Sequence, residues 1–290
     1  MIAAFEYFAP KTVREALSLL AKYKEEAKII AGGQSMLVVM KQRLLTPEYL
    51  IDLKGITDLD YIKYDEGKGL RIGALTIHRA IEKSPVIQKH FGVLSEMEGN
   101  LATIQTRNWG TIGGNICHGD PAGDPAPVLI ALKAKLKLAS SAGERIVEAE
   151  EFSKDYLEVA LEPNEMLTEI QVPTPPAHTG TAYEKLMVMK GDMSIIGAAV
   201  SITLDSKGGC GDARIALSNA ASVPLRAKKA EKLLIGKTIN NGLLTKAGEV
   251  ASTEATPPAD VHGSIEYRRE MVKVFVKRVA QLALERAKAA

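Results

Sequence analysis

The stretch Lys28-Ile29-Ile30-Ala31-Gly32-Gly33-Gln34-Ser35 decides the reading, together with a later one, Gln105-Thr106-Arg107-Asn108-Trp109-Gly110-Thr111-Ile112-Gly113-Gly114-Asn115. In the first, a short apolar run predicts a strand that stops abruptly at the paired glycines. Paired glycines let a backbone approach a ligand closely and aim successive N–H groups at one anion, as a phosphate or diphosphate requires. The second reads as another glycine-rich loop, running from Arg107 to Gly123. One Gly-Gly pair is an ordinary turn. Two in one domain are able to grip a diphosphate from both sides.

The familiar nucleotide signatures do not compete with this reading. Gly67-Lys68-Gly69-Leu70-Arg71-Ile72-Gly73 is one residue too long for the dinucleotide fingerprint and lies in front of a strand instead of after one. Gly236-Lys237-Thr238 ends like a P-loop, but Glu231 stands where that motif needs its first glycine, so the triplet reads as a helix stop.

Around the first loop, Phe5 to Phe8 predicts a strand, and Thr12 with Glu15 a capping box for a helix that aligns Val13, Ala16, Leu17 and Leu20 on one face. A second strand is expected near Tyr49 to Leu53, and a subdomain boundary near residue 54. Leu70 to Ala74 reads as a strand, and Thr76 to Glu98 as two helical patterns broken at Ser84-Pro85 and Gly92. After the second loop, a helix from Pro125 to Lys133 and strands at 135–139, 145–147 and 166–172 lead to Pro173-Thr174-Pro175-Pro176, the strongest linker signal. Beyond it, three strands (182–189, 195–204, 212–218) precede three helices (226–234, 243–252, 266–287), the order of an α+β domain.

The chain has 290 residues, 46% hydrophobic and 25% charged, with 37 Lys and Arg against 35 Asp and Glu. It is long enough for two domains, and neither disordered nor a disulfide scaffold. The balanced charge leaves no footprint for nucleic acid or an acidic membrane. No basic segment followed by an apolar one opens the chain, and no apolar run approaches the ~20 residues of a membrane span, so a cytoplasmic location is expected. Cys117 and Cys210 read as reduced thiols too few for a four-cysteine iron–sulfur cluster, and His78, His90, His118, His178 and His262 show no metal spacing. Redox chemistry would need a bound organic cofactor or a partner's metals.

Taken with Leu44-Leu45-Thr46-Pro47-Glu48-Tyr49-Leu50-Ile51-Asp52-Leu53, His118-Gly119-Asp120-Pro121-Ala122-Gly123-Asp124-Pro125-Ala126-Pro127 and the segment Tyr183 to Ser194, the two loops resemble the FAD-binding (medium) subunit of molybdenum hydroxylases. That family includes the carbon monoxide dehydrogenase medium subunit and FAD subunits of xanthine, nicotinate and aromatic-substrate dehydrogenases. The resemblance covers essentially the whole chain. It implies an α+β fold: a two-lobed PCMH-type FAD-binding domain over residues 1–176, with subdomains 1–54 and 55–176. A C-terminal α+β domain over 177–290, a three-stranded antiparallel sheet with helices, would follow.

The resemblance also implies roles. Ile29, Ile30, Ala31, Gly32, Gly33, Gln34 and Ser35 would wrap the FAD diphosphate, mostly through backbone amides. Thr111, Gly114 and Asn115 would contact the diphosphate and the flavin side, and Ile116 the cofactor through backbone or an apolar face. Asp124 would accept from ribose hydroxyls, although the residues alone allow a helix N-cap. Leu167 would lie near a ring system, Lys185 near the flavin pyrimidine edge, and Tyr183 over the ring. His118 reads as a turn residue, so FAD is expected to be non-covalent. Gln34 and Asn115 depart from the His and Asp of the carbon monoxide dehydrogenase subgroup, and the cysteine count leaves none for the extra cluster of the benzoyl-CoA reductase-like members.

The implied function is electron transfer. Partners would be a large molybdopterin-binding subunit and a small [2Fe-2S] subunit, assembled as a dimer of heterotrimers, with electrons leaving to an external acceptor. No acid–base set beside the loops is evident, and no catalytic residue or metal ligand is assigned to this chain. The alternatives are a stand-alone FAD-dependent oxidase or reductase, and a flavin-free scaffold.

Overall fold

Thr12 opens the first helix as its sequence predicts: its hydroxyl accepts from Glu15 N at 3.2 Å. Glu15 reaches back one residue further than a standard capping box, to Lys11 N at 2.7 Å. In the computed structural model, which describes residues 2–290, this helix α1 (Val13–Tyr23) buries Ala16, Leu17 and Leu20 against a small parallel sheet. The sheet has the order β1-β3-β2, from β1 (Glu6–Phe8), β2 (Ala27–Ile30) and β3 (Tyr49–Asp52). Parallel neighbours need a crossover, and the one from β2 to β3 carries the first glycine pair and a short helix, α2 (Met36–Lys41).

The second lobe is an antiparallel five-stranded sheet of β4 (Ile62–Asp65), β5 (Gly69–Gly73), β6 (Lys135–Ser140), β7 (Gly143–Glu148) and β10 (Met166–Val172), ordered β4-β5-β10-β6-β7. Between β5 and β6 the chain makes six helices: α3 (His78–Lys83), α4 (Pro85–His90), α5 (Gly92–Asn100), α6 (Ile104–Trp109), α7 (Ile112–His118) and α8 (Pro125–Ala131). The breaks at Ser84-Pro85 and Gly92 lie where expected, but they separate three helices, since Ser84 caps a new one through Ile87 N. A short helix α9 (Ala149–Phe152) and the hairpin β8 (Ser153–Asp155), β9 (Glu158–Val159) lead to β10.

The expectation of one glycine-rich loop from Arg107 to Gly123 is corrected, because α7 lies inside it and the end of α6 overlaps its start. Thr103 and Thr111 cap these helices, accepting from Thr106 N and Gly114 N. Glycine's poor helix propensity hides α7 from a sequence reading, and the cap overrides it.

The C-terminal unit is β11 (Thr179–Leu186), β12 (Ile196–Leu204), β13 (Cys210–Ser218) and β14 (Leu225–Arg226), with α10 (Lys228–Leu234), α11 (Asn241–Glu254) and α12 (Ile265–Ala289) packed on the sheet. The sheet has four antiparallel strands where three were expected. The fourth is two residues long, too short to show a period, and is anchored by Arg226, which donates to Glu231. Glu231, the residue that spoils the P-loop reading, is buried and also accepts from Ile215 N. Among the described residues no helix is long and apolar enough to cross a membrane.

Candidate functional site

The two glycine stretches meet. A Cβ placed on Gly32 would stand 2.2 Å from the Trp109 carbonyl oxygen and 2.6 Å from Gly110 Cα, so only glycine lets the first loop lie on the second. Gly33 is required for a different reason. Its φ is +71°, while a Cβ there would meet nothing closer than the Leu37 side chain at 3.2 Å. The tight steric limit lies at Gly32, and it is set by protein backbone.

Around this junction lies a cavity of about 810 Å³, at the upper end of the range for small-molecule sites. Of the residues singled out in the sequence, Ile29, Ala31, Gly32, Gly33, Gln34, Ser35, Thr111, Gly114, Asn115, Asp124 and Leu167 line it. Ile30, Ile116, Tyr183 and Lys185 stand behind that wall; Tyr183 reaches it through Asp124, and Lys185 through Asp124 and Asp192. Leu167 is both: core by burial and cavity wall by position.

The two loops offer different chemistry. The backbone N–H groups of Gly32, Gly33, Gln34 and Ser35 donate to no partner among the described residues, and these residues line the cavity. They form a cradle of donors suited to an anion. In the second stretch the amides of Ile112, Gly113 and Gly114 are already used, donating to Thr76 O, Ala74 O and Thr111 Oγ1. What it presents instead is the Asn115 side chain, a donor and acceptor without a partner among the described residues, on the accessible first turn of α7.

At another part of the wall, Asp124 stands at the N-cap position of α8, as its place ahead of Pro125 suggests, but makes no capping bond. Both its oxygens are taken from across the sequence. Tyr183 donates to Oδ1 at 2.6 Å, and Lys185 donates to Oδ2 at 2.6 Å and to Asp192 O at 2.7 Å. Burial pushes the Asp124 carboxyl up from its ordinary range, and the Lys185 ammonium and Tyr183 hydroxyl pull against it. Burial, and then the carboxylate, hold the Tyr183 phenol well above its ordinary value. Tyr183 is thus a buried hydrogen-bond donor and not a surface strand residue. Asp124 and Lys185 are in contact and belong to one part of the wall.

Several cavity residues carry no sequence signal. His78, from α3, lies 2.8 Å through Nδ1 from Glu98 Oε2, and both side chains are buried. Asp192 and Met193 enter from the β11–β12 turn. The fold assembles His78 with Glu98, and Asp124 with Tyr183 and Lys185, pairings that no spacing in the sequence marks. Cys117 also lines the cavity, its thiol pushed up to about 12 by burial. His118 ends α7 ahead of Gly119, whose φ of +69° makes the C-terminal stop.

Comparison with known proteins agrees with this arrangement. Residues 3–175 match the family model described as the FAD binding domain in molybdopterin dehydrogenase, and residues 181–283 the CO dehydrogenase flavoprotein C-terminal domain. The carbon monoxide dehydrogenase medium chain of Afipia carboxidovorans is 39% identical over 98% of both chains. The 6-hydroxypseudooxynicotine dehydrogenase complex subunit alpha of Paenarthrobacter nicotinovorans is 35% identical over 98% of this chain and 96% of its own. Among solved structures, a chain of the carbon monoxide dehydrogenase of Hydrogenophaga pseudoflava superposes with a TM-score of 0.95 at 39% identity, covering 99% of each chain. One from quinoline 2-oxidoreductase of Pseudomonas putida 86 does so at 0.92 and 32% identity, again over 99% of each.

Proposed function

This chain belongs to the family of FAD-binding medium subunits of molybdenum hydroxylases, and from that premise we propose that its cavity holds FAD non-covalently and that its role is electron transfer inside a multisubunit dehydrogenase. The observation that carries the reading is the cradle: four backbone donors with no partner among the described residues, opening on a cavity of about 810 Å³. A nucleotide diphosphate fits donors of that kind, and the glycines leave it room.

When bound, FAD would supply the exchange between one-electron and two-electron chemistry. Gly32 to Ser35 would hold its diphosphate. Asn115 would offer an amide to the same cofactor, and Asp124, fixed by Tyr183 and Lys185, a carboxylate oxygen to its hydroxyls. Leu167 and the buried wall behind it exclude water. Molybdopterin and the [2Fe-2S] clusters would lie in a large and a small partner subunit, and substrate oxidation with them. Val188 and Met189 are each 68% exposed and Met193, on the cavity rim, 58%, an apolar edge that supports docking of a partner there. The further readings are a dimer of heterotrimers in the cytoplasm and a domain division at 176/177, with lobes 1–54 and 55–176.

The test has two parts. Acid precipitation of the purified chain should release FAD into the supernatant; flavin left in the pellet contradicts the non-covalent assignment. The chain is then assayed with candidate substrates and a dye acceptor, alone and with the large and small subunits. Turnover is expected only in the complex. Substantial turnover by the lone chain would favour a stand-alone oxidase.

A further inference from the structure

Resting on the FAD reading, we propose that His78 is the cation of the anion cradle: it donates through Nε2 to the cofactor's diphosphate, and Glu98 holds its charge in place.

A diphosphate brings negative charge into the cavity, and backbone amides alone must otherwise meet it. Among the described residues no arginine lines the cavity. Its lysines, Lys24 and Lys28, are exposed, near the start of β2, and its other histidine, His118, is only half-buried at the end of α7. Lys185 lies outside the lining and is committed to Asp124. His78 is different: it is 2% exposed, lines the cavity and sits where the two loops join. Its backbone N donates to Gly110 O at 3.0 Å. Its ring lies so close to Gly110 that a Cβ there would be 3.1 Å from His78 Cδ2 and 3.5 Å from Gln34 Cγ. The imidazole is therefore fastened beside the residues that carry the free amides.

Its two nitrogens have separate tasks. Nδ1 faces Glu98 Oε2 at 2.8 Å, a charge contact without good hydrogen-bond alignment. Glu98 is fully buried, and neither of its oxygens has a hydrogen-bond partner among the described residues. A buried carboxylate without a counter-charge is strongly unfavourable, so an ionised Glu98 calls for a protonated His78. Burial pushes the Glu98 carboxyl up, and His78 draws it down. The other charges acting here are Arg107 and Asp124, which bear on Glu98, and the Arg79–Glu82 pair on α3 itself. Arg107 is held by Glu82 and the carbonyls of Leu101 and Ala102. Nε2 has no hydrogen-bond partner among the described residues, which leaves it as a donor on the cavity side.

The full-length chain, stripped of flavin, is titrated with FAD and with ADP, which carries the diphosphate without the flavin. His78→Gln should weaken both by the same factor, about tenfold or more, the loss expected when a charge-assisted hydrogen bond is removed. Glu98→Gln should weaken both in the same direction. Thermal unfolding accompanies each titration; if His78→Gln does not fold, Glu98→Gln carries the test. Variants that bind ADP as tightly as wild type overturn the assignment, as does a loss confined to FAD, which would place His78 against the flavin. A wild-type chain that binds neither ligand overturns the FAD reading itself.

Discussion

Gly32→Ala is the smallest perturbation that separates the cradle from the rest of the fold. The added methyl would stand 2.2 Å from Trp109 O and 2.6 Å from Gly110 Cα, so the loops must part by roughly 1 Å to restore ordinary contact. The second stretch resists moving. Gly110 N donates to Thr106 O at 2.7 Å, Ile112 N to Thr76 O and Gly113 N to Ala74 O at 3.0 Å each. The first loop therefore yields, and it carries the four free amides away from their ligand. Hydrogen bonds to a charged group contribute about 1.5–3 kcal/mol each, so disabling two of the four removes roughly 3–6 kcal/mol, or about a hundred- to ten-thousandfold in FAD affinity. Flavin fluorescence on titrating the stripped chain measures this, with denaturant unfolding alongside to show that the lobes persist. Gly99→Ala is the control: in α5, with nothing within 4 Å of its Cβ, it should leave FAD binding unchanged and stabilise the helix by about 0.5–1 kcal/mol. If Gly32→Ala binds FAD within about threefold of wild type, the loop contact does not position the cradle, and the reasoning fails.

Other expectations concern the charges and thiols. Asp124→Asn leaves the Lys185 ammonium buried and unpaired, and should cost about 3–5 kcal/mol in denaturant unfolding; the Asp124→Asn/Lys185→Met double variant should cost less than the sum of the singles, and strict additivity would deny the coupling. The Arg145 guanidinium holds the Glu165 carboxyl below its ordinary value of 4.5, so its contribution is complete above that value and lost as pH falls through the lowered one. Glu165→Gln should flatten that part of the acid limb of the stability profile; an unaltered profile would remove Glu165 from the account. Burial pushes the Cys117 thiol up to about 12 and Cys210 to about 11, so iodoacetamide at neutral pH should label neither in the native chain and both after denaturation, as read by mass spectrometry.

What could be read in the sequence, and what could not, divides by the range of the interaction. The strand before Gly32, the Thr12 cap, the break at Ser84-Pro85 and the strands on either side of Pro173 to Pro176 rest on neighbours a few residues apart, and they lie close to where periodicity and turn chemistry put them. The roles of individual site residues depend on distant partners. Asp124 has every local mark of an N-cap ahead of Pro125, yet Tyr183 and Lys185 claim both oxygens from a strand about sixty residues later. Gly32 and Gly33 look interchangeable in sequence, but one is required by the Trp109 carbonyl and the other by its own φ. His78 has no spacing to mark it, because its partner Glu98 lies on another helix and its ring meets Gly110 only once the loops have docked. A lone histidine becomes a candidate binding group when a buried acid fixes one nitrogen and a cavity leaves the other open, and neither condition can be written as a linear motif.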